Sequence, residues 1–209
     1  MGTAASARTR GRDETHACTL TGKRLTATVA LLCAVLWAVP GASAALALLR
    51  TEILSAPWQL LTAHFVHYST VHALIDSAVL VLCTALAERA FGCGPTTVLI
   101  LLGGVLLSLG ALWLLPFMQE YRGASALATL LGVTVALRTA QQAPSRRPCI
   151  ALLGLLLLAT LLRDAWPQAH RPSSLPDGVF VAWPVHALAI ALGMAATRFL
   201  PTRKIDITR

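Results

Sequence analysis

Charge is scarce in this sequence: 12% of its 209 residues are charged, against about a quarter in soluble domains. So few charges cannot cover the surface of a water-soluble domain of this size, which excludes a soluble enzyme and a disordered tail. Cysteine is sparse as well. The five are Cys18, Cys33, Cys83, Cys93 and Cys149, with no C-x-x-C spacing, which argues against a secreted disulfide scaffold and a cysteine zinc site. Acidic residues number 9 against 17 Lys and Arg, a formal net charge of +8. No basic run is interleaved with aromatics, and the cations sit at the ends of apolar segments. That pattern belongs to the cytoplasmic loops of a membrane protein and not to a nucleic-acid binder. Apolar residues are what the chain has in abundance: 56% hydrophobic and a mean hydropathy of +0.69. The length allows one domain.

A helix needs about 20 residues to cross the hydrocarbon layer. Six apolar stretches are candidates: 25–49, interrupted by Pro40-Gly41, then 70–87, 96–115, 125–137, 149–162 and 179–197. The expected fold is an all-α, six-span membrane bundle over residues 25–200, between polar tails at 1–24 and 201–209. With both tails inside, thirteen Lys and Arg lie on the inner side and four (Arg50, Arg122, Arg163, Arg171) on the outer side, which sets the orientation. On this topology no cysteine lies in an outer loop. Lys23-Arg24, an apolar run and Ala42-Ser43-Ala44 also fit a cleaved signal peptide, but the run continues to Leu49 and favours a retained span. The outer segment 50–69 holds Pro57, Trp58, Leu60, Leu61, Phe65 and Tyr68, too short and interrupted to span, and reads as an interfacial amphipathic segment. The segment 163–184 carries four prolines and reads as a loop.

Ionisable groups inside spans are expensive and mark function. His72 and Asp76 lie four residues apart on one face of the second span. Ser125 opens the fourth, and His186 lies early in the sixth. All four fall near the outer ends of helices that run inward, so they share a depth. Ser125, Ala128 and Gly132 form a small-residue stripe, and His186, Ala189 and Gly193 repeat its offsets. Such stripes let helices approach closely in lipid and would draw Ser125 toward His186. The fourth span counts only 13 residues from Ser125 to Leu137. It is too short to cross unaided, so residues 120–123 must dip into a protein-lined, hydrated place. Hydrolysis within a membrane needs that water.

Several stretches resemble the rhomboid family of intramembrane serine proteases. Gly123-Ala124-Ser125-Ala126 resembles its G-x-S-x nucleophile motif, and residues 186–193, from His186 to Gly193, resemble its H-x-x-G-x-x-x-G motif. Trp58-Gln59-Leu60-Leu61-Thr62 followed by His67 and His72 resembles the first outer loop and second helix, and Glu88 to Gly92 the E-x-x-x-G that ends it. Residues 60–67 and 121–125 are closest to the rhombosortase branch. The departures are Asp76 where rhomboids usually carry Asn, Ala126 and Ala189 where they carry Gly, Thr129 for a frequent aromatic and Gln59 for a frequent Arg.

The resemblance implies an intramembrane endopeptidase in a bacterial inner membrane with its site facing the periplasm. Ser125 is implied as nucleophile and His186 as base, with His72, Asp76 and Ala124 as oxyanion or auxiliary groups. Gly123, Trp58, His67, Glu88, Gly92, Ala189 and Gly193 would be structural or substrate-facing. No cofactor and no metal is implied. The implied partners are membrane lipid and a single-span substrate with a Gly-Gly element, one helix and a basic C-terminal tail. A free Ser125 N–H at a helix N-terminus would serve the oxyanion. Asp76 would act as a neutral donor or pair with a protonated His72. Two other readings are a silent rhomboid-like protein that binds transmembrane helices, and a metal site built from His64, His67 and His72. Short of a metal, His64 and His67 would anchor the loop.

Overall fold

The computed structural model describes residues 24–165, 179 and 181–200. Residues 1–23, with Cys18 and most of the expected N-terminal tail, lie outside them, as do the 201–209 tail and most of the proline-rich segment. The described chain is helical. In order come α1 (Arg24–Ala38), α2 (Ala42–Ala45), β1 (Leu48–Leu49), α3 (Gln59–Thr62), α4 (Thr70–Phe91), α5 (Cys93–Leu114), β2 (Glu120–Tyr121), α6 (Ser125–Gln142), α7 (Arg147–Ala165) and α8 (Trp183–Phe199). Two of these, α4 and α5, are long and apolar enough to cross a membrane, and α1 is a shorter apolar helix. Their outward faces carry Leu74, Ile75, Leu82, Leu101, Leu102 and Trp113 exposed, an apolar exterior suited to lipid.

Local chemistry sets the ends. The Ser69 hydroxyl accepts the His72 N–H at the start of α4, and Gly92, with φ +90°, separates α4 from α5. Pro184 sits in the first turn of α8, where a missing N–H costs nothing. The carboxylate of Glu88, buried near the end of α4, accepts the N–H and hydroxyl of Thr26 in the first turn of α1, a negative charge on a helix N-terminus. In α6, Thr129, Thr134 and Thr139 each turn their hydroxyls back to the carbonyl four residues earlier, which satisfies them where water is absent.

The centre of the bundle is α6, packed most extensively on α8 and α4. Ala126, Leu127, Leu131 and Ala189 are completely buried there. α6 corrects one expectation: it has 18 residues, not 13, about 27 Å of rise. Arg138 reads as a loop cation in the sequence but is buried inside the helix. Its guanidinium donates to the carbonyls of Thr197 at 3.2 Å and Leu200 at 2.9 Å, the open carbonyls at the end of α8, and lies 5.6 Å from the Phe91 ring centroid. Those partners come from two other helices, so no count of apolar residues along α6 could include them. Arg138→Leu is expected to cost about 2 kcal/mol, read as a lower melting temperature in detergent.

The small-residue stripes are also corrected in part. Gly193 does lie against α6, where a Cβ would sit 2.9 Å from the Leu130 carbonyl oxygen. Gly132 instead faces Cys83 of α4. The segment 50–69 has an exposed and a buried side: Leu54 and Trp58 are exposed, while Gln59, Ala63, His64 and Phe65 are buried. Gln59 accepts the Leu49 N–H at 3.0 Å. Residues 120–121, β2, pair antiparallel with β1, Leu48 with Tyr121 and Leu49 with Glu120, so non-helical backbone beside the site is satisfied within the protein.

Candidate active site

Ser125 is the first residue of α6, and His186 lies in the first turn of α8. Their side chains meet: His186 Nε2 is 3.0 Å from Ser125 Oγ. His186 Nδ1 is 3.1 Å from the carbonyl oxygen of Ala182. A carbonyl only accepts, so Nδ1 carries the proton and Nε2 turns its lone pair to the hydroxyl. That is the tautomer of a general base. Sequence reasoning missed Ala182 because a backbone carbonyl leaves no mark in residue types.

Gly123 leads into this pair with φ +128°, a left-handed conformation that favours glycine. Its N–H donates to the Ala63 carbonyl at 3.0 Å. A Cβ there would lie 3.2 Å from the His72 ring and 3.3 Å from Asp76 Oδ2, so a side chain would crowd the site. The tight turn aims the N–H groups of Ala124 and Ser125 across to α4. Both donate to Asp76 Oδ2, at 3.0 and 3.1 Å, and His72 Nε2 lies 3.0 Å from the same oxygen.

This corrects two expectations. The Ser125 N–H is not free, and Asp76 Oδ2 accepts there where a donor was one of its two expected roles; the other, a pairing with His72, has its contact at 3.0 Å. Ala124 has no side-chain cap of its own type, so the carboxylate caps α6 from a neighbouring helix, helped by the helix dipole. A cap supplied from 48 residues earlier in the chain is invisible to a local motif.

Around them is a cavity of about 920 Å³, walled by Tyr68, His72 and Asp76, by the chain from Leu114 to Arg122, and by Val181 and Ala182, with Ser125 and His186 on its lining. Tyr68 lies parallel to the His72 ring, centroids 6.2 Å apart, and donates to the Glu120 carbonyl at 3.2 Å. Burial and the nearby Glu120 push its phenol up to about 12, so it remains a donor throughout the neutral range. Arg122 pairs with Glu120, donates to Ser43 Oγ at 2.8 Å and lies 5.1 Å from the Tyr68 ring centroid. Tyr68 and Glu120 had no motif to announce them, while Arg122 lay within the 121–125 stretch.

The remaining sequence candidates divide. His67 is buried with Nε2 3.7 Å from Asp76 Oδ2. Burial pushes its imidazole below the ordinary range, against the pull of Asp76, so at neutral pH it faces the carboxylate as a neutral ring and not as an ion-pair partner. Its carbonyl accepts from Ser43 Oγ at 2.6 Å. His64 is completely buried, with Nε2 2.9 Å from the Gly104 carbonyl and 3.1 Å from Ser108 Oγ, and anchors the loop to α5. Among the described residues no group of three or more His, Cys, Asp and Glu is arranged to hold a metal. Trp58 is on the surface. Glu88 and Gly92 lie at the far end of α4, where they tie helices together. Ala189 is completely buried in α8, and Gly193 lies against α6.

A helical membrane bundle with a serine and a histidine hydrogen-bonded at the tips of adjacent helices has the makings of an intramembrane hydrolase. The chain belongs to the Rhomboid family, a family of intramembrane proteases: the family model for the Rhomboid domain matches residues 55–203. The matched span contains Ser125, His186, His72 and Asp76. A search of curated proteins finds no match to the chain.

Proposed function

We propose that the protein is an intramembrane serine endopeptidase working through a Ser125–His186 dyad. The observation that carries this reading is the 3.0 Å contact of His186 Nε2 with Ser125 Oγ, with Nδ1 held by Ala182. Ser125 Oγ attacks the scissile carbonyl while its proton passes to His186 Nε2. The tetrahedral intermediate collapses, the peptide C–N bond breaks, and the proton goes on to the departing amine. Water, activated by the same imidazole, then hydrolyses the acyl-enzyme. His72 and the backbone N–H groups of Ala124 and Ser125 are the donors within reach of an oxyanion.

The substrate in this reading is a single membrane-spanning helix cut near the outer face. The six-span topology with both termini cytoplasmic, the site on the periplasmic side of a bacterial inner membrane, and a rhombosortase-like taste for a Gly-Gly, helix and basic-tail signal extend the proposal. They draw on the cation asymmetry and on the similarity of residues 60–67 and 121–125 to that branch. A second reading, a silent protein that binds transmembrane helices, is favoured by one observation: a carboxylate oxygen sits on the donors that an oxyanion needs.

A fluorophosphonate probe separates the two. The purified protein is expected to be labelled on Ser125 and the Ser125→Ala variant not at all. Co-expression with a signal-bearing substrate should yield a cleaved product only with the wild type. A wild-type protein that binds such helices yet neither takes the probe nor cuts would establish the silent reading instead.

A further inference from the structure

Attack on a carbonyl drives negative charge onto its oxygen, and enzymes hold donors about 2.7–3.1 Å from where that oxygen will stand. In this chain such donors are already taken. The Ala124 and Ser125 N–H groups both donate to Asp76 Oδ2, at 3.0 and 3.1 Å, and His72 Nε2 lies 3.0 Å from that atom. Asp76 lines the same cavity as Ser125 and His186. Its oxygen therefore stands where the reacting oxygen of a substrate would have to be received.

We infer that Asp76 is a built-in plug of the oxyanion site: the protein rests in a latent state, and Ser125 reacts only when the carboxylate yields the Ala124 and Ser125 N–H groups to the substrate. This rests on the peptidase reading of Ser125 and His186. Asp76 also caps α6, and an amide oxygen caps a helix about as well. A cap alone would leave the reactivity of Ser125 unchanged on replacement by Asn. A plug would not, because hydrogen bonds to an ionised acceptor are about twice as strong as neutral ones, and its charge opposes the growing charge on the substrate oxygen.

Facing the carboxylate are His72 on its own helix, His67 from the preceding loop at 3.7 Å, and Ser125 of α6 with His186 of α8 behind it; Tyr121 of β2 lines the same cavity. Among the described residues no Lys or Arg pairs with Asp76, and Arg122 is engaged by Glu120 and Ser43.

The test uses the full chain in detergent and the rate of fluorophosphonate labelling. In that reaction the bond from Ser125 Oγ to phosphorus forms, the P–F bond breaks, fluoride leaves and the hydroxyl proton passes to His186 Nε2. The phosphoryl oxygen occupies the oxyanion position. Asp76→Asn is expected to label at least about tenfold faster than wild type near pH 8. Asp76→Ala, which removes the acceptor altogether, should move the rate the same way. If neither folded variant labels faster than a wild type whose labelling depends on Ser125, the plug is overturned and the peptidase reading stands. If no variant shows Ser125-dependent labelling, the peptidase reading falls and takes the plug with it.

Discussion

His186→Ala is expected to abolish cleavage of a membrane-spanning substrate, by on the order of 10⁴-fold or more, while the protein stays folded. The size of the effect follows from geometry. Nε2 is the acceptor at 3.0 Å from Ser125 Oγ, and without it the hydroxyl proton has nowhere to go as the oxygen attacks. The effect on stability should be small, about 1 kcal/mol or less, because the ring is only half-buried and its orienting carbonyl is not orphaned by its loss. Ala182 O also accepts the backbone N–H groups of Val185 and His186. Immunoblotting of a tagged substrate, set beside a melting curve of the purified variant, checks both halves. A variant that still cuts at a tenth of the wild-type rate would remove His186 from the mechanism.

The second large effect falls well away from the chemistry, at Gly193→Val. A Cβ alone would sit 2.9 Å from the backbone oxygen of Leu130 and 3.1 Å from the side chain of Val133. The nearest obstacle is main chain, so no rotamer can relieve it. The helices must part or shift. Overpacking of this kind costs about 1–3 kcal/mol and at times more. Seven residues from Gly193 on the same helix is His186, so a shift of α8 against α6 also separates Nε2 from Oγ, and a displacement of about 1 Å can cost on the order of 100-fold in rate. Gly193→Ala is expected to lose part of the activity and Gly193→Val nearly all of it, with melting temperatures falling in the same order. An unaltered melting curve for the valine variant would mean that the close approach of α6 and α8 is not as tight as described.

Why Gly193 is legible in the sequence and Gly132 is not illustrates a wider division. Both belong to stripes at the same offsets from a polar residue, yet one lies on the α6–α8 contact and the other on Cys83 of α4. Offsets along one helix establish which residues share a face. They do not establish which neighbour that face meets. The same limit explains Arg138, whose partners sit on α8 and α4, and whose charge alone made α6 read as short.

What the chain's own order of residues determined is the class of protein and the candidate pair, Ser125 and His186. A charge content of 12% against 56% hydrophobic residues leaves burial in lipid as the way to cover the surface, and a serine and a histidine at helix tips stand out because polar groups are costly there. Tertiary structure alone decided the working state of that pair. The tautomer of His186 depends on a main-chain carbonyl, and the donors beside Ser125 are occupied by a side chain from another helix. Hydrogen bonds act over about 3 Å in space and are indifferent to separation along the chain, so only the folded arrangement can say which donors are free.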